Sequence, residues 1–466
     1  NLGLRWEYAQ PYVNTQNHIS VFDPTFPGGR LIYPGVAEYF VPGQGFTPTS
    51  QPLAPSGLYA PDKDNFAPRF GLAWRPAGSG VWSIRGGYGI YYEAPNDNSM
   101  IFLSGNPPDL TMNTILNDPR TPPLRPWSQM FPAGIVVGAA TVNSVARNLP
   151  TGYIQQWSFN IERELGPNNV VEVGYVGMKG TDLGQRRWLN QAVVDPNPAV
   201  PTPIVSRTPY PAFANALDFY DDTGFSNYHA LIARAEHRFS RGLSLLVAYT
   251  FSKSIDDVSF AGGINPEPNE PQNSYDLAAE RGLSYFDSPQ RLVVSLIYQV
   301  PIGKGHTWLS HGALSQVFGG WEFASILQYQ TGTPMSILVP GDPANVGIGS
   351  QRAAVLGNPL PPGFVRGGSK RLAFDTSAFA MPAPGSFGNS GRNIIRDAPL
   401  NDWDLGLSKM FLIAEGTKVQ FRAEAFNALN HTQFQLFGNV LGTPTFGLWN
   451  SAREPRTLQF GVKVYY

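Results

Sequence analysis

The 466-residue sequence contains no cysteine, few charged residues and no long apolar run. Without cysteine the chain has no disulfide framework, no thiolate metal site and no cysteine nucleophile. Charged residues make up 14% of the chain, against about 25% in a typical soluble domain. No apolar run approaches the ~18 residues of a transmembrane helix. The net charge of −1 also lacks the basic surplus of a nucleic-acid-binding protein, so nucleic acid is not an expected partner.

What is present is a strict alternation of apolar and polar residues over stretches of about ten residues. The last ten residues, 457–466, show it best, because every second side chain is apolar or aromatic. A period of two is typical of a β-strand with two unlike faces. About twelve such segments occur, and helical periodicity is nearly absent. The sequence therefore predicts an all-β protein.

The links between the predicted strands alternate between short and long along the whole chain. Short links such as 76–80, 166–169 and 240–242 join one strand to the next. Structureless loops longer than about 12–15 residues are uncommon in compact soluble domains. The long links are the predicted outer loops 9–64, 93–152, 179–227, 254–289, 332–400 and 428–455.

An antiparallel transmembrane β-barrel has this arrangement, with short periplasmic turns, long extracellular loops and strands of about 9–11 residues. If the first strand runs outward, the twelfth ends in the periplasm at Tyr466. We therefore expect residues 1–466 to form a barrel wall of about twelve strands in the outer membrane of a Gram-negative bacterium. The alternative is a soluble β-sandwich whose aromatic residues form an ordinary core.

Charged side chains fall on the strand face opposite the apolar residues. A lysine or arginine on the lipid face at mid-depth would cost roughly 2–4 kcal/mol, so this face is expected to be the lumen. There the charges either line a transport path, contact a plug or pair across strands. The lumen-lining candidates are Arg69, Arg75, Arg85, Glu162, Glu172, Arg234, Glu236, Arg238, Arg422 and Glu424.

Aromatic residues cluster at the strand ends, as the girdles of membrane barrels do. The predicted outer-rim aromatics are Trp6, Tyr8, Tyr92, Phe251, Tyr329 and Trp403. The loops carry further aromatics, for which packing between loops is the first interpretation and ligand capture the second. These are Tyr33, Tyr39, Phe40, Phe46, Tyr59, Trp127, Phe131, Tyr210, Phe213, Tyr220 and Phe260.

Four long strings resemble one family in order along the chain. They are QQWSFNIERELGPNNVVEVGYVGMKGTDL (155–183), NYHALIARAEHRFSRGLSLLVAYTFSKSIDD (227–257), ERGLSYFDSPQRLVVSLIYQVPIGKG (280–305) and FGNSGRNIIRDAPLNDWDLGLSKMF (387–411). The chain resembles the C-terminal barrel of Oar-like TonB-dependent outer-membrane receptors. The resemblance implies a barrel of about 22 or more strands. It also implies a signal peptide, a carboxypeptidase-regulatory-like domain and a plug upstream of Asn1.

The resemblance further implies function and partners: outer-membrane lipid, the TonB complex acting through the plug, and an unknown bulky ligand taken up with energy. The residues Leu458, Phe460, Val462, Val464 and Tyr466 resemble the signal read by the barrel assembly machinery. A plain amphipathic closing strand is the alternative interpretation, and the assembly signal is preferred because the pattern ends at the last residue. A passive outer-membrane channel and a surface adhesion or secretion-linked role are the alternative functions.

Motifs for chemistry are weak. The sequence has no GxSxG or HExxH motif, and its six histidines show no metal-ligand spacing, so neither an enzyme, a cofactor nor a metal site is expected. The acid pairs Asp221-Asp222 and Asp256-Asp257 could contribute oxygen ligands to a cation. Two adjacent acids are more simply solvated loop residues.

Overall fold

Most of the chain is described by the computed structural model. The described residues are 1–76, 80–93, 100–107, 140–259, 268, 270–303, 306, 308–368 and 371–466. Parts of the predicted loops 93–152, 254–289 and 332–400 and of the link 76–80 lie outside them, as do Trp127, Phe131 and Phe260.

Twelve strands follow one another in chain order and pair antiparallel in one sheet. They are β1 (Leu2–Trp6), β2 (Phe66–Trp74), β3 (Trp82–Tyr92), β4 (Tyr153–Glu164), β5 (Asn169–Trp188), β6 (Phe213–Ser240), β7 (Leu243–Asp256), β8 (Gln290–Gln299), β9 (Trp321–Gln330), β10 (Leu400–Ala414), β11 (Thr417–Phe426) and β12 (Thr457–Tyr465). β1 and β12 are the two edges of the sheet. The predicted all-β, antiparallel architecture with about twelve strands is confirmed.

The short links all lie at one end of the strands and the long loops at the other. Between β6 and β7 the link consists of Arg241 and Gly242, with φ of 50° and 84°. Positive φ at both positions of a two-residue turn matches the right-handed twist of the strands that it joins. We call these two ends of the sheet the short-turn end and the outer end.

Strands β5 and β6 extend well past the ends that their alternation predicts. The predicted loop 179–227 is therefore wrong at both boundaries, since pairing continues to Trp188 opposite Asp218. Arg186 pairs with Asp218, and the guanidinium of Arg187 lies 2.7 Å from the carboxylate of Asp221. These charges interrupt the apolar period, but because they pair across the two strands the ladder continues.

The register keeps apolar side chains of neighbouring strands on one face. Val173 on β5 lies opposite both Ile161 on β4 and Ala233 on β6, and Ala233 in turn lies opposite Tyr249 on β7. The Val173 side chain is 53% exposed, so this row of residues has no protein core above it. An extended, exposed apolar face of this kind is what a lipid-facing barrel wall requires.

Charge is not confined to the opposite face, which corrects the sequence-based expectation at both ends of the strands. Register places Arg163, Lys253 and Lys409 on the apolar face. Arg163 lies 4.7 Å from the ring centroid of Trp82 at the short-turn end. Long basic side chains near a strand end reach the polar boundary, so their position on this face is far less costly than at mid-depth.

The outer loops contain small sheets of their own. Four strands pair in the first loop (Val21–Asp23, Arg30–Ile32, Glu38–Val41 and Gly45–Pro48), and the strand Ala140–Val145 lies parallel to β6. Two-stranded pairs are Pro334–Met335 with Ile395–Arg396, Ala354–Val355 with Phe379–Ala380, and Phe434–Phe437 with Trp449–Ala452. Gly282–Leu283 pairs with β7.

Helix is a minor element. The α-helix α1 spans Gly312–Phe318 between β8 and β9. Short 3₁₀ turns occur at Phe102–Gly105, Ile204–Arg207, Leu277–Glu280 and Thr376–Ala378. Across the described residues, a helix with the length and apolar character to cross a membrane is not found.

A charge placed at mid-height on the apolar face is expected to be costly. Val173→Arg should lower the free energy of unfolding in lipid vesicles by about 2–4 kcal/mol, because the new guanidinium faces acyl chains. Ser158→Arg, at mid-height on the opposite face of β4, is the matched control and should change it little. Folding in urea, followed by the mobility of unboiled samples on gels, measures both. Equal losses in the two variants would contradict the assignment of faces.

Candidate functional site

The predicted lumen residues share one face of the sheet and pair with one another. Arg85 on β3 lies 3.8 Å from Glu162 on β4, and Arg234 lies 2.7 Å from Glu236 along β6. Glu172 stands opposite Arg234 in the β5–β6 register. Opposite charges on one face at these distances pair locally and keep the face polar.

The remaining predicted charges follow the same pattern. Arg422 and Glu424 on β11 are 2.9 Å apart, and Arg238 lies 3.9 Å from Glu236. Arg69 stacks on the ring of Tyr91, 4.6 Å from its centroid. Arg75 follows β2 at the short-turn end and is exposed. Apart from Arg69 and Arg75, the structure thus brings these residues into local pairs along the face rather than into one cluster.

The predicted rim aromatics lie at the outer ends of their strands. Trp6 stacks on Tyr8 with ring centroids 6.0 Å apart, and the indole N–H of Trp6 donates to the backbone oxygen of Lys63 at 2.7 Å. The ring of Tyr92 packs on the ring of Tyr153, and the indole N–H of Trp403 donates to the hydroxyl of Ser325. Phe251 is exposed. Tyr329 lies opposite Asn401 in the register of β9 with β10.

The last strand presents its alternating side chains outward. β12 pairs with β11 along its whole length, which places the apolar series on the same face as the lipid-facing residues of β11. All of that series is exposed, with Phe460 at 70%. Its residues are Leu458, Phe460, Val462 and Val464, followed by Tyr466 after the strand.

The outer loops are packed against one another around buried apolar cores. One core joins the first loop to the segment before β4 and to the extension of β6, and it includes Tyr59, Leu103 and Tyr220. An adjoining core contains Phe22 and Phe213, whose rings meet edge to face with centroids 5.0 Å apart. Packing between loops is therefore confirmed as the role of Tyr59, Phe213 and Tyr220, and Tyr33 is buried as well.

A few loop aromatics stay partly open. Phe46 is half-exposed and contacts the rings of Tyr33 and Phe40, with centroids 5.7 and 5.4 Å away. Tyr39 and Tyr210 pack only at the margins of the loop cores. These side chains are the part of the aromatic set that a ligand could reach.

A second packed unit is built from the loops before β10 and before β12. Phe374 is fully buried at its centre and meets Phe379 and Phe437 edge to face. The indole N–H of Trp449 donates to the carboxylate of Asp397 at 2.7 Å inside this core. The two loops therefore act as one folded body above the wall.

Three arginines, of which Arg352 and Arg392 are buried and Arg396 is partly exposed, connect that body to the end of β7 and the loop after it. Arg352 lies 2.5 Å from Glu280, Arg392 contacts Asp256, and Arg396 contacts Asp287. We call Arg352, Arg392 and Arg396 the arginine row. Each donates to carboxylates or backbone oxygens of the 254–289 loop, so the buried guanidinium groups of Arg352 and Arg392 have partners, as does that of Arg396.

Sequence reasoning missed the arginine row as a unit. The signal was in the sequence, because Arg392 and Arg396 lie in the string 387–411 and Glu280 and Asp287 lie in the string 280–305. Charges this frequent in otherwise uncharged loops indicate pairing. The partners, however, are 72 to 136 residues apart in the chain, and only the fold brings them together.

The two acid pairs are not solvated, which corrects that expectation. Asp221, Asp222, Asp256 and Asp257 are all buried, and Asp221 and Asp256 pair with arginines. The carboxylate of Asp257 accepts the backbone N–H of Phe225 at 2.9 Å. Within the described ranges, His, Asp and Glu side chains form no group of three or more that could hold a metal ion.

A cavity of about 400 Å³ opens where the polar face meets the outer loops at β10, β11 and β12. Asp402 and Asp404 of β10 line it together with Arg453 and Glu454 of the neighbouring loop. Asp404 accepts the backbone N–H of Asn427 at 2.9 Å, whereas one buried oxygen of Asp402 accepts no hydrogen bond from the described residues. Such a mixture of carboxylates and a guanidinium suits a polar ligand with hydroxyl, amide or charged groups.

Comparison with models of known protein families gives one match. A family model described as "Outer membrane beta barrel domain" matches residues 1–459. The chain belongs to this family. As a member of the outer membrane beta barrel domain family, the protein is placed in the outer membrane, and its exposed apolar face is a lipid-facing wall. A search of curated proteins finds no match.

Solved structures similar to this family member share little sequence identity with it. The outer membrane transporter YddB from Escherichia coli is 13% identical with a TM-score of 0.45, and the match covers 86% of this chain and 40% of that one. The siderophore receptor PiuA from Acinetobacter baumannii is 10% identical with a TM-score of 0.42, covering 100% of this chain and 40% of that one. The chain thus spans about two-fifths of the length of these structures.

Removing the acidic partner of one residue of the arginine row should destabilise the packing of the outer loops. In Glu280→Gln the buried guanidinium of Arg352 loses its counter-charge, which should lower the free energy of loop opening by about 3–5 kcal/mol. Amide hydrogen exchange across the 332–400 loop measures the change. The control is Arg5→Gln, because the Arg5 side chain is 63% exposed in its ion pair and such pairs contribute about 0–1 kcal/mol. Unchanged protection in Glu280→Gln would contradict a locking role.

Loop stability should depend on pH through Asp257. Burial raises the pKa of Asp257 to about 6, so the closed loop binds this proton more tightly than the opened one. Stability against opening should therefore fall as the pH rises from about 4 to about 6. Asp257→Asn keeps an acceptor for Phe225 and should flatten that slope. Exchange of the Phe225 amide, corrected for intrinsic rates, measures it, and an unchanged slope in the variant would rule out Asp257 as the cause.

Proposed function

We propose that this chain is the C-terminal barrel portion of an Oar-like TonB-dependent receptor in the outer membrane of a Gram-negative bacterium. Its function is energised uptake of a scarce, bulky ligand. The observation that carries the proposal is the charged face that runs up the wall to a cavity beneath packed outer loops. The charged lining includes Arg85, Glu162, Arg234 and Glu236 along the wall and Asp402 at the cavity.

Each part of the chain has a role in this proposal. The outer loops capture the ligand, and the half-exposed Phe46 and the cavity beside Asp402 and Asp404 are the first surfaces it meets. The polar face forms part of the wall of the path. A plug domain, coupled to the TonB complex, fills a barrel of about 22 or more strands to which these twelve contribute.

The outward series of β12 is proposed as the contact with the barrel assembly machinery. Strand addition to an exposed sheet edge uses backbone hydrogen bonds for affinity and alternate side chains for specificity. The exposed residues Phe460 and Val462 provide such side chains on an edge strand of the sheet.

The bulk of the outer loops also favours a second candidate, surface adhesion or a secretion-linked role. A passive channel is the third, but buried loop cores at the outer end do not favour an open pore. Deleting the gene and measuring growth with limiting iron, cobalamin or polysaccharide separates the first two. A growth defect restored by complementation is the expected result. Lost cell attachment with normal growth would overturn uptake, and steady potassium chloride conductance of the purified protein in planar bilayers would favour the channel.

Uptake should depend on the carboxylates of the cavity. The double variant Asp402→Asn with Asp404→Asn should reproduce the growth defect of the deletion, because the cavity loses the two negative charges that β10 contributes while keeping its shape. Its amount in the outer membrane, measured on blots of unboiled samples, should be unchanged. Glu172→Gln, on the same face but near the short-turn end, is the matched control. Normal growth of the double variant under every limitation would exclude this cavity from uptake.

A further inference from the structure

The link between β8 and β9 differs from the other links at the short-turn end. It runs from 300 to 320 and contains α1, whereas the links 241–242 and 415–416 are two-residue turns. Outer-membrane barrels place their short turns in the periplasm, so α1 lies at the periplasmic rim of the wall.

A lysine on the apolar face holds α1 in place. Lys409 of β10 lies opposite Trp321 of β9, and its ammonium donates to the backbone oxygens of Gln316 and, at 2.9 Å, of Val317. The indole N–H of Trp321 donates to Val317 as well, at 3.0 Å. These oxygens are at the C-terminal end of the helix, where the partial charge is negative. Because Lys409 and Trp321 lie on the lipid-facing side of the sheet, α1 lies against the outside of the wall.

The helix has one apolar side that nothing in the described chain covers. Leu314, Val317 and Phe318 share that side by their i, i+3 and i+4 spacing, and each is more than half exposed. Ser315 is the buried residue of the helix, and Gln316 points away from the apolar side. Trp308, in the same link, is 70% exposed. Residues 308–318 contain no Lys, Arg, Asp or Glu.

We propose that α1 is an interfacial helix that inserts Leu314, Val317 and Phe318 into the periplasmic leaflet of the outer membrane. The ligand of this surface is phospholipid. Two observations select it over a protein partner: the apolar side continues the lipid-facing wall at its rim, and it carries no charge by which a partner would be recognised. An amphipathic helix with Trp, Phe and Leu on one side lies at the boundary between headgroups and acyl chains. In this arrangement Lys409 attaches α1 to the wall, and its ammonium group is hydrogen-bonded to the helix rather than exposed to acyl chains.

The absence of cysteine makes a direct test simple. Leu314→Cys and Phe318→Cys are each labelled with a nitroxide, and Gln316→Cys is the matched control on the opposite side of the same helix. The full protein is reconstituted in vesicles of phosphatidylethanolamine and phosphatidylglycerol. Spin relaxation by oxygen, which partitions into lipid, and by a water-soluble nickel chelate is then compared. A mobility shift on boiling shows that each variant is folded.

Labels at 314 and 318 are expected to collide several-fold more with oxygen and less with nickel than the label at 316. Equal nickel accessibility at 314 and 316 would place the helix in water and overturn the proposal. Protection of 314 from both reagents would mean that protein covers this side, which also overturns it.

The role of Lys409 is tested in the same background. Lys409→Met removes the donors to the helix, so the oxygen preference at 314 should fall, while Lys409→Arg keeps donors and should preserve it. An unchanged preference in Lys409→Met would show that this lysine does not hold α1 to the wall.

Discussion

The constraint on which the structure depends is that a wall in lipid must satisfy its backbone hydrogen bonds between its own strands. The ten inner strands meet it by pairing with both of their neighbours in sequence, which short turns on one side make possible, and β1 and β12 are the edges of the sheet. The two-residue turn at Arg241-Gly242 shows how closely the chain follows that rule. Once the strands are paired, alternation assigns every side chain to lipid or to the polar face. A one-residue slip anywhere would exchange the two faces.

The outer loops are free of that constraint and resemble parts of a soluble protein. They have their own apolar cores, around Phe374 in one unit and Leu103 in the other. Between units, the attachment is ionic and buried, as in the contact of Arg352 with Glu280. Burying charge costs free energy unless each group is paired and hydrogen-bonded, as these are. The result is a packed layer at the outer end of the strands, and neighbouring strands and loops line the cavity beside Asp402.

The boundaries of the membrane explain the exceptions to simple face segregation. Cations on the apolar face occur near strand ends, where Arg163 stacks on Trp82 and Lys409 reaches the end of a helix. In each case the charge has an aromatic ring or carbonyl oxygens to interact with at a depth where water is near. The rim aromatics, the outward series of β12 and the proposed interfacial helix have the same physical basis, because each of them belongs to the surface at which the wall contacts lipid.

The sequence by itself determined the strand number, the antiparallel order, the side on which the long loops lie and the face of each charged residue at mid-height. These follow from period and spacing, which are local properties of the chain. Only the tertiary structure decided how far β5 and β6 extend, that Asp221 and Asp256 are buried, and which acid each arginine of the row contacts. The reason is distance along the chain. An ion pair between Arg392 and Asp256 leaves no periodic trace in either segment, and burial in a loop depends on which other loops fold over it.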